Sequence, residues 1–281
     1  MTPEIFYFSG TGNSLFLARG LAERLEARIT PIGNLIGEGS VVPEGRIVGI
    51  VFPVYYASLP VIVKEFAAKL EGIEGCYIFA VANYGGAAGD SLRILRRIIQ
   101  SKGGKLMGSY GIHMPQNAFR KFWENPERIS SKAERKLDTI AENAKAGRRG
   151  RFLGSWLTNA LIEPLNLILS PLSKRGLVQL TGASNDESMD DLIRMAGRSF
   201  AVGEECTGCG ICERVCPVNN IKLVDGRPKW LDHCENCLAC YNFCPSETIG
   251  DGVVDGDYRY HHPDVTAAQM IESRAARDRT R

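Results

Sequence analysis

The sequence predicts an open, doubly wound α/β sheet of parallel strands joined to a small cysteine-rich domain. Two observations predict the sheet. Three apolar runs, EIFYFS, RIVGIVF and CYIFAVA, each end in a loop rich in glycine, hydroxyl or aromatic residues, and helix-like stretches lie between and after them. A third observation predicts the second domain: eight of the nine cysteines fall within residues 206–244. At 281 residues, 44% hydrophobic and 23% charged, the chain has the composition of a globular protein and the length of two domains. The net charge of +2, with no basic aromatic-rich face, argues against nucleic acid as a partner. The first apolar run starts within a few residues of Met1, leaving no room for a secretory segment, so the expected location is cytoplasmic.

EIFYFS reads as a short buried strand, and SLFLARGLAERL places Leu15, Ala18, Leu21, Ala22 and Leu25 at helical spacing. Between them, YFSGTGNS at residues 7–14 is a strand-to-helix turn. Such a turn aims the unbonded N–H groups of the first helical residues at one point, where an anion is favoured. The lysine loop for triphosphates and the G-x-G-x-x-G dinucleotide turn are both absent. Ser9, Thr11 and Ser14 around Gly10, Gly12 and Asn13 supply neutral donors that suit a terminal monophosphate. RIVGIVF ends in PVYYASLP, where Tyr55 and Tyr56 can stack on a planar ring. CYIFAVA, opened by the buried small hydrophobe Cys76, ends in NYGGAAGD, where Gly85 and Gly86 allow close backbone approach. SLRILRRII then reads as a helix and GKLMGSYGI as a further strand. Ligands of open parallel sheets bind at this carboxyl edge.

With three such loops in order, residues 3–118 resemble the flavodoxin-like family, SGTGNS being the most specific part. The resemblance implies a five-stranded parallel sheet of order 2-1-3-4-5 and FMN as cofactor. It assigns the phosphate to Ser9, Thr11, Gly12, Asn13 and Ser14, with Gly10 in the same cofactor-binding loop. It turns Pro53, Val54, Tyr55, Tyr56 and Ala57, together with Asn83, Tyr84, Gly85 and Gly86, toward the isoalloxazine. The tryptophan that often stacks on the flavin in free flavodoxins is absent from these loops.

The clustered cysteines form two copies of C-x2-C-x2-C-x3-C-P, CTGCGICERVCP and CENCLACYNFCP. This is the bacterial ferredoxin run for two 4Fe-4S cubes, in which the fourth cysteine of each run serves the other cube. Three thiolates on one tight loop reach irons of the same cube, and the proline turns the chain across. The expected sets are Cys206, Cys209, Cys212 and Cys244 for one cluster and Cys216, Cys234, Cys237 and Cys240 for the other. Two structural zinc sites would also use eight thiolates, although zinc ribbons favour paired knuckles over triplets. Trp230 and Tyr241 read as packing in a small domain, and His261 and His262 as part of a frayed polar tail.

Between the two modules, Asn125 and Pro126 read as N-cap and first residue of a helix. Its stripe of Ile129, Ala133, Leu137, Ile140 and Ala144 ends before Gly147. After the basic KAGRRGR comes FLGSWLTNALIEPLNLILSPL, in which Asn159, Glu163 and Asn166 interrupt the apolar run and Pro164 would kink it, arguing against a transmembrane span. Residues 151–175 therefore read either as a helical cover between domains or as an interfacial helix touching anionic lipid. The domain reading is 1–122, a flavodoxin-like FMN domain; 123–196, a helical connector; 197–254, a two-cluster ferredoxin domain; and 255–281, a polar tail.

As a whole the chain resembles fused flavodoxin–ferredoxin proteins of the EFR-type ferrodoxin family. That resemblance implies electron transfer with redox proteins as partners, for which the excess of Asp and Glu over Lys and Arg in 197–254 suits a basic surface. Two functions stay open: a relay between partner proteins, and a flavin-dependent reductase of a small acceptor fed by the clusters. A pocket over the flavin would favour the second, and His113, Met114, Pro115 and Asn117 are the residues that could line it.

Overall fold

The computed structural model describes residues 1–119, 125–150, 171, 173–250, 254 and 257–275. The chain divides into two compact units, neither contiguous in sequence. The first comprises Met1–Ser9, Asn13–Pro115 and Phe122–Pro164; the second comprises Gly10–Gly12, Gln116–Lys121 and Leu165–Arg281.

The first unit is a five-stranded sheet of β1 (Glu4–Tyr7), β2 (Arg28–Pro31), β3 (Ile47–Pro53), β4 (Tyr77–Tyr84) and β5 (Leu106–His113). Its order is β2-β1-β3-β4-β5 and every pairing is parallel. This is the doubly wound flavodoxin-like order, with its switch point between β1 and β3. The crossovers carry α1 (Asn13–Leu25), α2 (Val61–Ala68) and α3 (Ser91–Ser101). Because β3 and β4 are covered on both faces, they read as continuous apolar runs and are buried almost throughout. Phe6, Phe8, Phe52 and Phe79 are fully buried, and the Phe6 and Phe66 rings pack 4.8 Å apart. The register pairs Tyr7 with Val51, Pro53 with Asn83 and Tyr84 with His113, which brings the strand ends to one edge.

The helix expected from Asn125 forms as α4 (Pro126–Lys145), and the Asn125 side chain caps it by accepting the Arg128 N–H at 2.9 Å. Ala133, Leu137, Ile140 and Ala144 are buried as the stripe requires, and Ile129 is half-buried. Read in sequence as part of a separate connector, α4 instead covers the sheet. Lys136 donates to the Gly111 carbonyl of β5 at 3.1 Å, and Arg24 of α1 bonds Glu134 at 2.8 Å and Asp138 at 2.7 Å. The apolar stretch between residues 151 and 170 lies outside the described residues. Among the described residues no helix is long and apolar enough to cross a membrane.

The second unit contains two short antiparallel pairs: β6 (Ala201–Val202) with β9 (Ile249–Gly250), and β7 (Ile221–Val224) with β8 (Arg227–Trp230). Asp225 and Gly226 join the second pair with positive φ at both positions, the primed turn that suits a two-residue hairpin. Short helices α5 (Met189–Met195), α6 (Ile211–Val215) and α7 (Ala239–Asn242) precede a final α8 (Ala267–Ala275).

The frayed-tail expectation for the C-terminal stretch is corrected. His262 is 0% exposed, Val265 and Met270 are buried, and Arg259 lies over the Tyr241 ring at 3.8 Å. Arg259 also donates to the carbonyls of Glu247 at 2.6 Å and Ile249 at 3.2 Å, so burial and hydrogen bonds hold the segment. Thr266 and Gln269 exchange hydrogen bonds at 3.0 and 3.3 Å at the start of α8. That reciprocal pair is a capping box, legible in the sequence as T-x-x-Q.

Candidate functional site

The two cysteine runs fold alike. Gly208 and Gly210 of the first run and Asn236 and Leu238 of the second all take left-handed backbone, at matching offsets from their cysteines. α6 begins after Gly210 and α7 after Leu238. Each loop thus carries the first two cysteines of its run, and the third, Cys212 or Cys240, stands on the short helix that leads toward the fourth. One hollow is lined by Cys206, Cys209, Cys212 and Cys244. The other is lined by Cys216, Cys234, Cys237 and Cys240. The fourth cysteine of each run stands with the triplet of the other, the crossed grouping that the spacing suggests.

All eight thiols are unbridged. Cys209 is exposed and Cys206 and Cys244 are half-buried, so the first hollow lies near solvent, whereas all four cysteines of the second are buried. Burial pushes the Cys212 thiol up to about 11 and raises Cys216, Cys237 and Cys240 as well. Thiolates there need a compensating positive charge, which a bound metal cluster would supply. The backbone already favours acceptor sulfurs: Asn220 N–H meets Cys216 Sγ and Asn236 N–H meets Cys234 Sγ, each at 3.2 Å. Among the described residues no group of three or more His, Cys, Asp or Glu forms a site for a single metal ion. The donor set and the hollows fit multi-iron clusters.

At the sheet's carboxyl edge, Ser9, Thr11, Asn13 and Ser14 are all buried around the turn into α1. Asn83 ties two edge loops together, its Nδ2 donating to Ser14 Oγ at 2.6 Å and to the Phe52 carbonyl at 3.0 Å. Asn13 has its side chain engaged, donating to the Pro115 carbonyl at 3.0 Å. Val54 N–H bonds the Asn83 carbonyl at 2.8 Å, joining the other two edge loops. Tyr55, Tyr56 and Tyr84 are half-buried and Gly86 is exposed.

Tyr56 and Ala57 both adopt left-handed backbone, φ 50° and 54°, a strained choice for residues with a Cβ. What over-determines it is Gly89. A Cβ there would stand 1.9 Å from the Ala57 carbonyl oxygen, which accepts the Asp90 N–H at 2.9 Å. The tyrosine loop and the glycine loop therefore close on each other through a contact only glycine allows. Strain at such a place is typical of ligand clamps.

Of the residues that could line a pocket over a flavin, Met114 is fully buried and His113 hydrogen-bonds the Gly85 carbonyl at 3.2 Å. Asn117 belongs to the second unit, where it donates to the Cys237 carbonyl at 3.1 Å and accepts from Asn242 at 3.2 Å.

Thr11 also bonds within the second unit, its carbonyl accepting the His262 N–H at 2.8 Å. A Cβ on Gly12, at φ +98°, would lie 2.8 Å from Val265 Cβ. His262 Nδ1 accepts the Asp264 N–H at 3.2 Å, and burial lowers the His262 pKa below its ordinary value of about 6.5. The sign follows: below that value the unfolded segment takes up a proton that the buried ring resists. The stabilisation is complete above about pH 6.5 and shrinks as pH falls toward the folded value. Amide exchange at His262, corrected for the intrinsic rate, should lose protection between pH 7 and pH 5.5. In His262→Gln that loss should be absent; equal loss in both would assign it to another group.

A family model described as a 4Fe-4S dicluster domain matches residues 205–249. No curated protein matches the chain. Among solved structures, the Streptococcus pneumonia TIGR4 flavodoxin is 15% identical, covers 52% of this chain and 99% of its own, and has a TM-score of 0.38. Megasphaera elsdenii flavodoxin, in its two-electron reduced form, is 15% identical over 50% of this chain and 99% of its own, at 0.35. Rubredoxin oxygen:oxidoreductase from Desulfovibrio gigas is 16% identical over 52% of this chain and 37% of its own, at 0.33.

Proposed function

We propose, from the union of a flavodoxin-like sheet with a 4Fe-4S dicluster segment in one chain, that this protein relays electrons between redox partners. Cys206, Cys209, Cys212 and Cys244 hold one 4Fe-4S cluster and Cys216, Cys234, Cys237 and Cys240 the other. Residues 9–14, 53–57 and 83–86 hold FMN. When bound, the cubes exchange single electrons and FMN exchanges one or two, so the pair converts between one- and two-electron carriers.

The observation that carries the reading is the crossed grouping of eight cysteines in two hollows. The chain's own contribution is positional. The left-handed turns aim the thiols, buried surroundings exclude water from the second set, and exposed Cys209 marks the side at which a partner protein can approach. At the sheet edge, the buried hydroxyls and the helix N-terminus suit a phosphate, and the half-buried tyrosines suit a planar ring. The relay is preferred to the reductase because Met114 and Asn117, half of the residues that could line a substrate pocket, are committed to packing and to the cysteine loops.

Purification without oxygen followed by assay of iron, sulfide and flavin tests this. The expected result is about eight iron and eight sulfide per chain, as two cubes require, with one FMN and the visible and spin-resonance spectra of both. A colourless, zinc-containing protein would end it. Stopped-flow reduction should show electrons from a reduced ferredoxin reaching the flavin faster than electrons from NADH; the reverse would favour the reductase.

A further inference from the structure

The second hollow is lined by two side-chain N–H donors with no acceptor at ordinary hydrogen-bond geometry, one of which, on Trp230, stands beside the Cys240 thiol. Asn220 is 1% exposed; its Oδ1 accepts the His233 N–H at 2.9 Å, while its Nδ2 has no acceptor. Trp230 stacks on Phe200 with centroids 5.1 Å apart and planes 7° from parallel, and its buried Nε1–H likewise finds no acceptor at ordinary hydrogen-bond geometry. Both residues line the hollow of Cys216, Cys234, Cys237 and Cys240. A buried, unbonded N–H is unfavourable, so two beside one set of thiols call for a common acceptor.

We propose that Trp230 and Asn220 are potential-setting residues, their side-chain N–H groups donating to sulfur of the cluster held by Cys216, Cys234, Cys237 and Cys240. The inference rests on the two-cluster reading of the chain. Reduction adds one electron to a cluster that is already anionic with its thiolates, and donors to its sulfurs stabilise the added charge. Without them, burial of this cluster would disfavour the reduced form. The surroundings point the same way. The Arg274 guanidinium on α8 adds a positive charge near Cys216 and Cys237. Arg274 is held there by bonds to the Arg214 carbonyl at 2.6 Å and to Asn219 Oδ1.

Full-length, anaerobically loaded protein titrated with dithionite as the one-electron source, and followed by spin resonance, tests the proposal. Trp230→Phe keeps the aromatic stack and deletes the donor. One of the two clusters should become harder to reduce by about fivefold in its equilibrium, roughly 40 mV at 59 mV per decade, with the other cluster and the iron and sulfide content unchanged. Asn220→Leu should shift the same cluster. A loaded Trp230→Phe protein with both potentials unmoved, or both moved equally, overturns the proposal. A second measurement needs no variant: wild-type protein carrying ¹⁵N in its indole nitrogens should show, in pulsed spin resonance of the reduced state, a nitrogen coupling to one cluster. Its absence also overturns the proposal. Wild-type protein that binds no iron or sulfide would instead bring down the two-cluster reading itself.

Discussion

Cys216→Ala should empty the cluster site that belongs, in sequence, to the other motif. Iron and sulfide should fall to about half, because Cys234, Cys237 and Cys240 lose their fourth partner, while Cys206, Cys209 and Cys212 keep Cys244. The three abandoned thiols are buried, and burial holds Cys237 and Cys240 in the neutral form that binds iron poorly. The check is a comparison of spectra. The signal left in Cys216→Ala should match that left in Cys234→Ala and differ from that left in Cys206→Ala. A match to Cys206→Ala would mean that each run ligates its own cube.

Gly89→Ala should disable the flavin edge with almost no change in composition. The new methyl would meet the Ala57 carbonyl oxygen at 1.9 Å, and the residue would have to hold φ +52°. Left-handed strain of about 1–3 kcal/mol adds to the loss of the Asp90 N–H to Ala57 bond, worth about 0.5–1.5 kcal/mol. We expect FMN affinity to drop more than tenfold by fluorescence titration and stability to fall by about 2–4 kcal/mol in denaturant melts. Iron content should not change. Wild-type affinity in this variant would remove the 53–57 and 83–86 loops from the flavin site.

The sheet was legible because its central strands are buried on both faces and so appear as unbroken apolar runs, each followed by a loop of unusual composition. The cysteine grouping was legible because spacing alone limits which sulfurs a tight loop can bring together. β2 was not. Arg28–Pro31 is four residues long, none of them fully buried, and it exists as a strand because β1 offers it a parallel edge. α8 was missed although its T-x-x-Q capping box stands in the sequence, and His262 looked like tail because nothing local reports burial by distant groups. Trp230 looked like packing and does pack, stacked on Phe200; the hollow beside its nitrogen is what prompts the proposal of a second use. The discontinuous membership of the two units had no local signal at all, since it follows from contacts between residues far apart in sequence.

Asn117 also bears on how such a protein can be inherited or rebuilt. It is a rung, receiving from Asn242 and giving to Cys237, and it lies far upstream of the cysteine runs it braces. A recombination event that swapped residues 197–254 as a cassette would carry every iron ligand and leave this rung behind with the donor gene. Chimaeras cut at that boundary should mature poorly, and grafts that bring 116–121 along should mature better. Two genes joined end to end would be separable at the seam, whereas here residues 116–121 fold with the cysteine runs that lie far downstream of them.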